Sequence, residues 1–165
     1  MGAGCAAYLP MVLKNYPPIY LFETFEIESS GWEFYTSPAL PAGVPNSYVY
    51  LYELEGLYDT TSLYISEGND YTGGARKTVN VPVNSTLSLS FWCKRIPGAT
   101  GGIIQIRIDT TLLSKPICGQ NWGEHVVPIP ASYTDDGQVS IDIRVEYSLF
   151  EIRQILVDNI SLSAE

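Results

Sequence analysis

Alternating apolar and polar positions dominate this chain, and the pattern is clearest between residues 138 and 147. The apolar set Val139, Ile141, Ile143, Val145 and Tyr147 alternates with the polar set Ser140, Asp142, Arg144 and Glu146. Successive side chains of a β-strand point to opposite faces, so this alternation predicts a strand with one face in a core and the other in water.

The same period of two recurs elsewhere. Leu87, Leu89, Phe91 and Cys93 form one apolar set, and Ile104, Ile106 and Ile108 form another. Further strands are predicted near 19–25, 32–36, 48–53, 62–66, 79–83, 124–129 and 153–162. Pro82 confines the 79–83 strand to a sheet edge or a strand end, and the unbroken apolar run at 155–157 predicts a strand buried on both faces. About ten short strands with few helix signals predict an all-β antiparallel sandwich or barrel.

A tyrosine stands at every second position of the predicted strand near residue 50. Tyr48, Tyr50 and Tyr52 therefore share one face, which can be a sugar-binding surface, a contact with a neighbouring molecule, or one wall of the core. Sugars offer C–H faces and hydroxyls to aromatic rings and carboxylates, and protein interfaces also favour Tyr and Trp. The candidate ligand-binding residues are Tyr48, Tyr50, Tyr52, Glu53, Tyr58 and Trp122.

The first 18 residues differ from the rest, because they are apolar and contain Pro10, Pro17 and Pro18. This composition predicts an extended tail over 1–18 and not a helix, followed by a β-sandwich domain over 19–165. The tail can lie along its own sheet or complete the sheet of a neighbouring copy. The residues expected to make either contact are Tyr8, Leu9, Met11, Val12 and Leu13.

Composition narrows the function classes. The chain has 165 residues, enough for one domain with a sizeable core. Its net charge of −9 argues against a nucleic-acid partner, which needs a basic surface. No apolar run reaches the roughly 18 residues of a membrane-spanning helix.

Cysteine and histidine offer little catalytic chemistry. Cys93 and Cys118 can pair in a disulfide and leave Cys5 over, or all three can remain thiols. His125 is the only histidine, lies in a predicted strand and has no nucleophile motif beside it. We therefore predict no catalytic residues and no enzymatic activity.

Several of these segments, taken in order, resemble a known family. Phe25-Glu26 and Gly31-Trp32, then Leu87 to Trp92, then Ile155 to Leu162 are similar in order and spacing to jelly-roll modules of bacterial secreted proteins. Those modules are related to carbohydrate-binding and MAM-like domains. The resemblance implies a jelly-roll β-sandwich in a secreted, extracellular or cell-surface protein. It also implies a structural Ca²⁺ held by Glu26 and Asp158, both of which offer the oxygen ligands that this ion prefers.

Two functions remain open at this stage. The first is a secreted, non-catalytic binding module whose ligand is a polysaccharide or glycan, bound through the tyrosine-rich surface. The second is a self-assembling extracellular structural subunit, whose partner is another copy of itself and whose tail completes a neighbour's sheet.

Overall fold

The computed structural model describes residues 17–25, 31–58, 61–68 and 70–165, and eleven strands lie within them. The strands are β1 (Ile19–Glu23), β2 (Glu33–Ser37), β3 (Val49–Tyr52), β4 (Ser62–Gly68), β5 (Tyr71–Asn80), β6 (Leu87–Arg95), β7 (Ile104–Ile108), β8 (Thr111–Ser114), β9 (Gly123–Ile129), β10 (Gln138–Val145) and β11 (Gln154–Ala164). One 3₁₀ turn spans Ala131–Tyr133. All pairings between these strands are antiparallel.

The strands form two layers. The first sheet has the order β3-β4-β11-β6-β9, and β1 pairs with β11 beyond the end of β4. The second sheet has the order β2-β5-β10-β7-β8. A hairpin between β4 and β5 connects the two sheets. The predicted antiparallel jelly-roll β-sandwich is confirmed.

The core lies between the sheets and is built from the predicted alternating sets. On β10, Val139, Ile141, Ile143 and Val145 are all buried in it. Leu87, Leu89, Phe91 and Cys93 of β6 approach from the opposite sheet. Each large apolar side chain removed from water contributes about 1.5–3 kcal/mol, which makes this layer the main source of stability.

Strand β11 is buried on both faces over 155–157, as the unbroken apolar run predicts. Ile155 and Val157 belong to the core, whereas the equally buried Leu156 points to the outer face of the first sheet. The pairing register shifts between Asp158 and Ser161. After this irregularity Ile160 and Leu162 return to the core.

Strands β5 and β8 depart from the prediction. β5 starts at Tyr71, well before the predicted 79–83 segment, and ends at Asn80, so Pro82 follows a strand end. The first half of β5 was not predicted because it contains Gly73 and Gly74, and glycine is depleted in strands. A Cβ at Gly73 would lie 2.2 Å from the Tyr48 carbonyl oxygen, which explains the glycine. β8 was not predicted and shows no alternation in its burial.

Some predictions concern residues outside the described ranges. These residues are the proposed tail contacts Tyr8, Leu9, Met11, Val12 and Leu13, together with Cys5 and Glu26. The division into tail and domain and the role of the tail therefore stay predictions. Within the described ranges, no helix has the length and apolar character to span a membrane.

Truncating one core residue tests the two-layer packing. Ile143→Ala should lower the free energy of unfolding by about 2–5 kcal/mol, because it leaves a cavity between the sheets. The matched control is Ser140→Ala on the outer face of the same strand, expected to change stability by about 0.5 kcal/mol or less. Urea unfolding of both variants gives the comparison, and equal effects of the two substitutions would contradict the assigned faces.

Candidate functional site

The two cysteines of the described chain and its histidine lie together at one end of the core. A disulfide joins Cys93 to Cys118, the first of the two alternatives that the sequence leaves open. The His125 ring packs 5.6 Å from that of Phe91, and burial lowers the pKa of His125. With both sulfurs bonded to each other, the cluster offers no thiolate for a metal ion or for catalysis.

The predicted tyrosine set lies at the edge of the first sheet and divides in two. Val49 points to the core, whereas Tyr50 and Tyr52 lie on the outer face beside Tyr64 of β4. The ring centres of Tyr50 and Tyr64 are 4.5 Å apart and the rings are stacked. Tyr48 stacks instead on Tyr71, at 5.7 Å. These stacks cover ring faces that a sugar would otherwise contact.

The segment 53–58 lies against the same outer face and is fixed there by Asp158. This carboxylate is fully buried, and its two oxygens accept the N–H groups of Leu57, at 2.8 Å, and Asn159, at 2.6 Å. Glu53 is exposed, and Tyr58 is 81% exposed. Calcium binding by Asp158 with Glu26 stays a prediction.

The predicted residue Trp122 is joined to this surface through a lysine. The Lys94 ammonium lies 5.9 Å from the centre of the Trp122 ring and pairs with the Glu55 carboxylate. Trp122 is half-buried as a result. Tyr50 and Tyr52 therefore lie at one border of the first sheet's outer face, and Trp122 lies at the opposite border. Leu156 and Lys94 lie between them.

The outer face of the second sheet has a different chemistry, centred on Tyr35. β5 separates β2 from β10, so the Tyr35 side chain must cross about 10 Å of sheet to reach β10. Its hydroxyl donates a hydrogen bond to Asp142 of β10. A Cβ at Gly74 of β5 would lie 2.6 Å from the end of the Tyr35 ring. Gly74 therefore allows the ring to lie along the sheet.

Arginines lie around the pair formed by Tyr35 and Asp142. Arg76 lies 5.5 Å from the ring centre of Tyr35 and forms an ion pair with Glu33 at 2.8 Å. Asp142 is in register with both Arg76 and Arg107 on the adjacent strands. The central carboxylate is thus surrounded by guanidinium groups and a phenol.

A polar cavity of about 330 Å³ opens next to Tyr35, where the strands of the second sheet meet the β4–β5 hairpin. It is lined by Ser37, Asp70, Thr72, Gln105, Arg144, Val145, Glu146 and Tyr147. Its volume is within the range of small-molecule sites. We call it the polar cavity.

Hydrogen bonds fix the side chains of the polar cavity in place. The Arg144 Nε donates to Gln105 Oε1 at 3.2 Å, and the Gln105 amide donates to Glu146 Oε1 at 3.3 Å. Lys115 also pairs with Glu146 and lowers its pKa. The wall is therefore a connected set of donors and acceptors with defined orientations.

A contact between two loops forms another part of the lining of the polar cavity. The Tyr147 hydroxyl donates to Asp70 Oδ1 at 2.8 Å, and this bond raises the pKa of Tyr147.

Burial raises the pKa of Tyr35 and of Asp142, and their mutual hydrogen bond raises that of Tyr35 further. Tyr35 and Tyr147 are therefore neutral phenols at neutral pH.

Sequence reasoning missed this site. Its residues occupy the polar positions of the predicted strands, for example Asp142 and Arg144 on β10 and Gln105 on β7. Charged and amide side chains in the middle of strands were the available signal. Strand pairing, which brings these residues together, is not visible in the sequence.

Comparison with solved structures places the fold among jelly-roll modules. The chain is similar to the CBM22-1 xylan-binding domain of Xyn10C from Paenibacillus barcinonensis, with a TM-score of 0.65, 15% identity, and coverage of 90% of this chain and 95% of that one. It is also similar to the family 11 carbohydrate-binding module of Lic26A-Cel5E from Clostridium thermocellum, with a TM-score of 0.59, 15% identity, and coverage of 92% and 97%.

A third similar structure is the K1 cleaved adhesin domain of Lys-gingipain from Porphyromonas gingivalis, with a TM-score of 0.62, 15% identity, and coverage of 88% and 98%. No protein-family model matches the chain, and no curated protein is significantly similar in sequence. At these identities the likeness establishes the fold. The chain has the jelly-roll β-sandwich fold of carbohydrate-binding modules, as the sequence resemblance implies.

The buried carboxyl of Asp142 predicts a pH-dependent stability. Its pKa is raised from the ordinary 3.8 in the folded state, so the folded protein holds the proton more tightly than the unfolded chain does. Its contribution is most favourable below 3.8 and is lost as the pH rises through the folded-state pKa. The stability of the parent chain relative to Asp142→Asn should therefore fall between about pH 3 and about pH 7.

Urea unfolding across this pH range measures the effect. Asp142→Asn keeps an acceptor for the Tyr35 hydroxyl but cannot titrate. The control is Ser140→Ala on the same face of the strand, whose difference in stability from the parent chain should not depend on pH. A rise of the parent chain's relative stability with pH would contradict the assigned burial.

Proposed function

We propose that this chain is a non-catalytic carbohydrate-binding module that holds a polysaccharide in the polar cavity of the second sheet. The observation that supports this most directly is the fixed polar wall of Arg144, Gln105 and Glu146 in the cavity lining. The Arg76 guanidinium lies over the Tyr35 ring, so the role of Tyr35 is to hold Asp142 and the surface next to Arg144 in place rather than to stack on a sugar.

The wall matches the chemistry of a sugar. Each hydroxyl of a sugar both donates and accepts hydrogen bonds, so a binding wall needs both kinds of group at fixed positions. Arg144 and Gln105 supply N–H donors, whereas Glu146 and Asp70 supply carboxylate acceptors. Hydrogen bonds among Arg144, Gln105 and Glu146, and from Tyr147 to Asp70, hold these groups before the ligand arrives. This order reduces the entropy lost on binding.

The charge of the polar cavity favours a neutral ligand. Its lining has one cation, Arg144, against two carboxylates, Asp70 and Glu146. Those carboxylates would repel a polyanionic polysaccharide, whereas they can accept hydrogen bonds from the hydroxyls of a neutral one. Two of the similar structures are described as a xylan-binding domain and as a module in complex with β-1,4-galactotriose. The sugar units of both saccharides are neutral.

The outer face of the first sheet is the other candidate surface, and binding there through Tyr48, Tyr50, Tyr52, Glu53, Tyr58 and Trp122 stays a prediction. We favour the polar cavity because Tyr64 covers a face of Tyr50, and because Lys94 and Leu156 separate the tyrosines from Trp122. Assembly through the tail also stays a prediction.

Substitutions on the two outer faces test the proposal. Arg144→Ala and Gln105→Ala should each weaken binding to xylan or β-1,4-galactan by about tenfold or more, which corresponds to about 1.4 kcal/mol. The control is the double variant Tyr50→Ala/Tyr52→Ala, which should bind like the parent chain. Affinity electrophoresis against both polysaccharides and calorimetry with their oligosaccharides give the constants, and unfolding midpoints verify folding.

Two results would contradict the proposal. One is that the parent chain binds neither xylan, β-1,4-galactan nor any other member of a polysaccharide panel. The other is that the double tyrosine variant loses binding while Arg144→Ala, correctly folded, retains it. The second result would move the site to the first sheet.

A further inference from the structure

The loop between β10 and β11 exposes a group of large apolar side chains. Leu149 is 76% exposed, Phe150 is 93% exposed and Ile152 is 56% exposed. Apolar side chains gathered on a loop tip, instead of scattered singly over the surface, mark a binding surface in soluble proteins. We call Leu149, Phe150 and Ile152 the apolar tip.

The apolar tip projects because both ends of its loop are fixed. On one side the Ser148 N–H donates to Oε2 of the buried Glu67 at 2.7 Å. On the other side the Ile152 N–H donates to Thr100 Oγ1 at 2.8 Å, and the Thr100 N–H returns a bond to the Ile152 carbonyl at 2.9 Å. These hydrogen bonds fix the backbone on both sides of residues 149–151.

A buried arginine supports the base of the loop. Arg153 donates to the Glu146 carbonyl and pairs with Glu151 at 2.7 Å. The Arg153 side chain is almost fully buried, whereas the Glu151 side chain is partly exposed. The loop is thus held at Ser148, Glu151 and Ile152. The Phe150 N–H also donates to Ser148 Oγ at 3.2 Å, so the exposed Phe150 side chain projects from a fixed backbone.

The apolar tip follows directly along the chain from residues that line the polar cavity. Val145, Glu146 and Tyr147 line the cavity and directly precede the loop, and the Tyr147 hydroxyl is fixed to Asp70. Phe150 lies three residues beyond Tyr147. Because an extended chain spans at most about 3.6 Å per residue, its Cα lies within about 11 Å of that of Tyr147.

We propose that the apolar tip is an outer subsite for the polysaccharide that occupies the polar cavity, with Phe150 stacking on a sugar ring of the chain where it leaves the cavity. This inference rests on the proposed function. A sugar ring buries its C–H face on an aromatic ring, and Phe150 offers such a ring with no competing contact. The subsite is reached only by a ligand longer than the cavity, so it selects for chain length.

Ligands of two lengths test the subsite. The variant Phe150→Ala should bind xylohexaose or β-1,4-galactohexaose about three- to tenfold more weakly than the parent chain, the loss expected for one aromatic stack. Its affinity for xylotriose or β-1,4-galactotriose should be unchanged. Phe150→Trp should retain the parent affinity for the longer ligands. Because Phe150 is 93% exposed, its replacement leaves the core intact.

The matched control is Phe22→Ala. Phe22 is an exposed phenylalanine of β1, which pairs with the end of β11 that lies away from the loop. Its replacement should change the affinity for neither ligand length. Titration calorimetry gives the constants, and sedimentation velocity on the same samples reports the association state.

The outcomes separate this inference from the proposed function. If the parent chain binds both lengths and Phe150→Ala binds both equally well, the subsite is wrong and the polar cavity stands. If the parent chain binds no saccharide, both fail together. If Phe150→Ala converts a self-associated parent chain to a monomer without a length-dependent loss of affinity, the apolar tip is a contact between copies and the inference is overturned.

Discussion

Packing of the two sheets against each other decides which side chains of this protein are available to a ligand. Each strand gives one of its two faces to the shared core, as Ile141 and Ile143 of β10 do, and the other face is left outside. Chemistry on the strands is therefore confined to two outer surfaces. The first is largely covered by tyrosine stacks and by the segment 53–58, and the second presents Tyr35 and the polar cavity.

The second constraint is the room available beside the backbone of β5, and it applies at two neighbouring glycines. Gly73 allows the Tyr48 carbonyl to approach β5, and Gly74 allows the Tyr35 ring to lie over the same strand. A side chain at Gly74 would displace the ring from the sheet and break its bond to Asp142. The candidate site thus depends on a position that has no side chain of its own.

The sequence predicts the fold well because burial leaves a local trace. The alternation in β6, β7 and β10 identifies the core faces of these strands. The unbroken apolar run at 155–157 identifies a strand buried on both faces. Local patterns do not reveal partners, however, so Tyr35, Gln105 and Arg144 could not be recognised as neighbours. The same limit applies to Tyr64, which covers Tyr50, and to Glu67, which fixes the loop of the apolar tip.

The central claim is that a neutral saccharide binds on the outer face of the second sheet. Backbone amide NMR spectra of the ¹⁵N-labelled chain, recorded during titration with xylohexaose and with β-1,4-galactotriose, test it most directly. The account predicts that at least one ligand shifts amides at Tyr35, Thr72, Gln105 and Arg144, with little change at Tyr50, Tyr52 and Tyr64. Shifts centred on those three tyrosines, or none with either ligand, would contradict it.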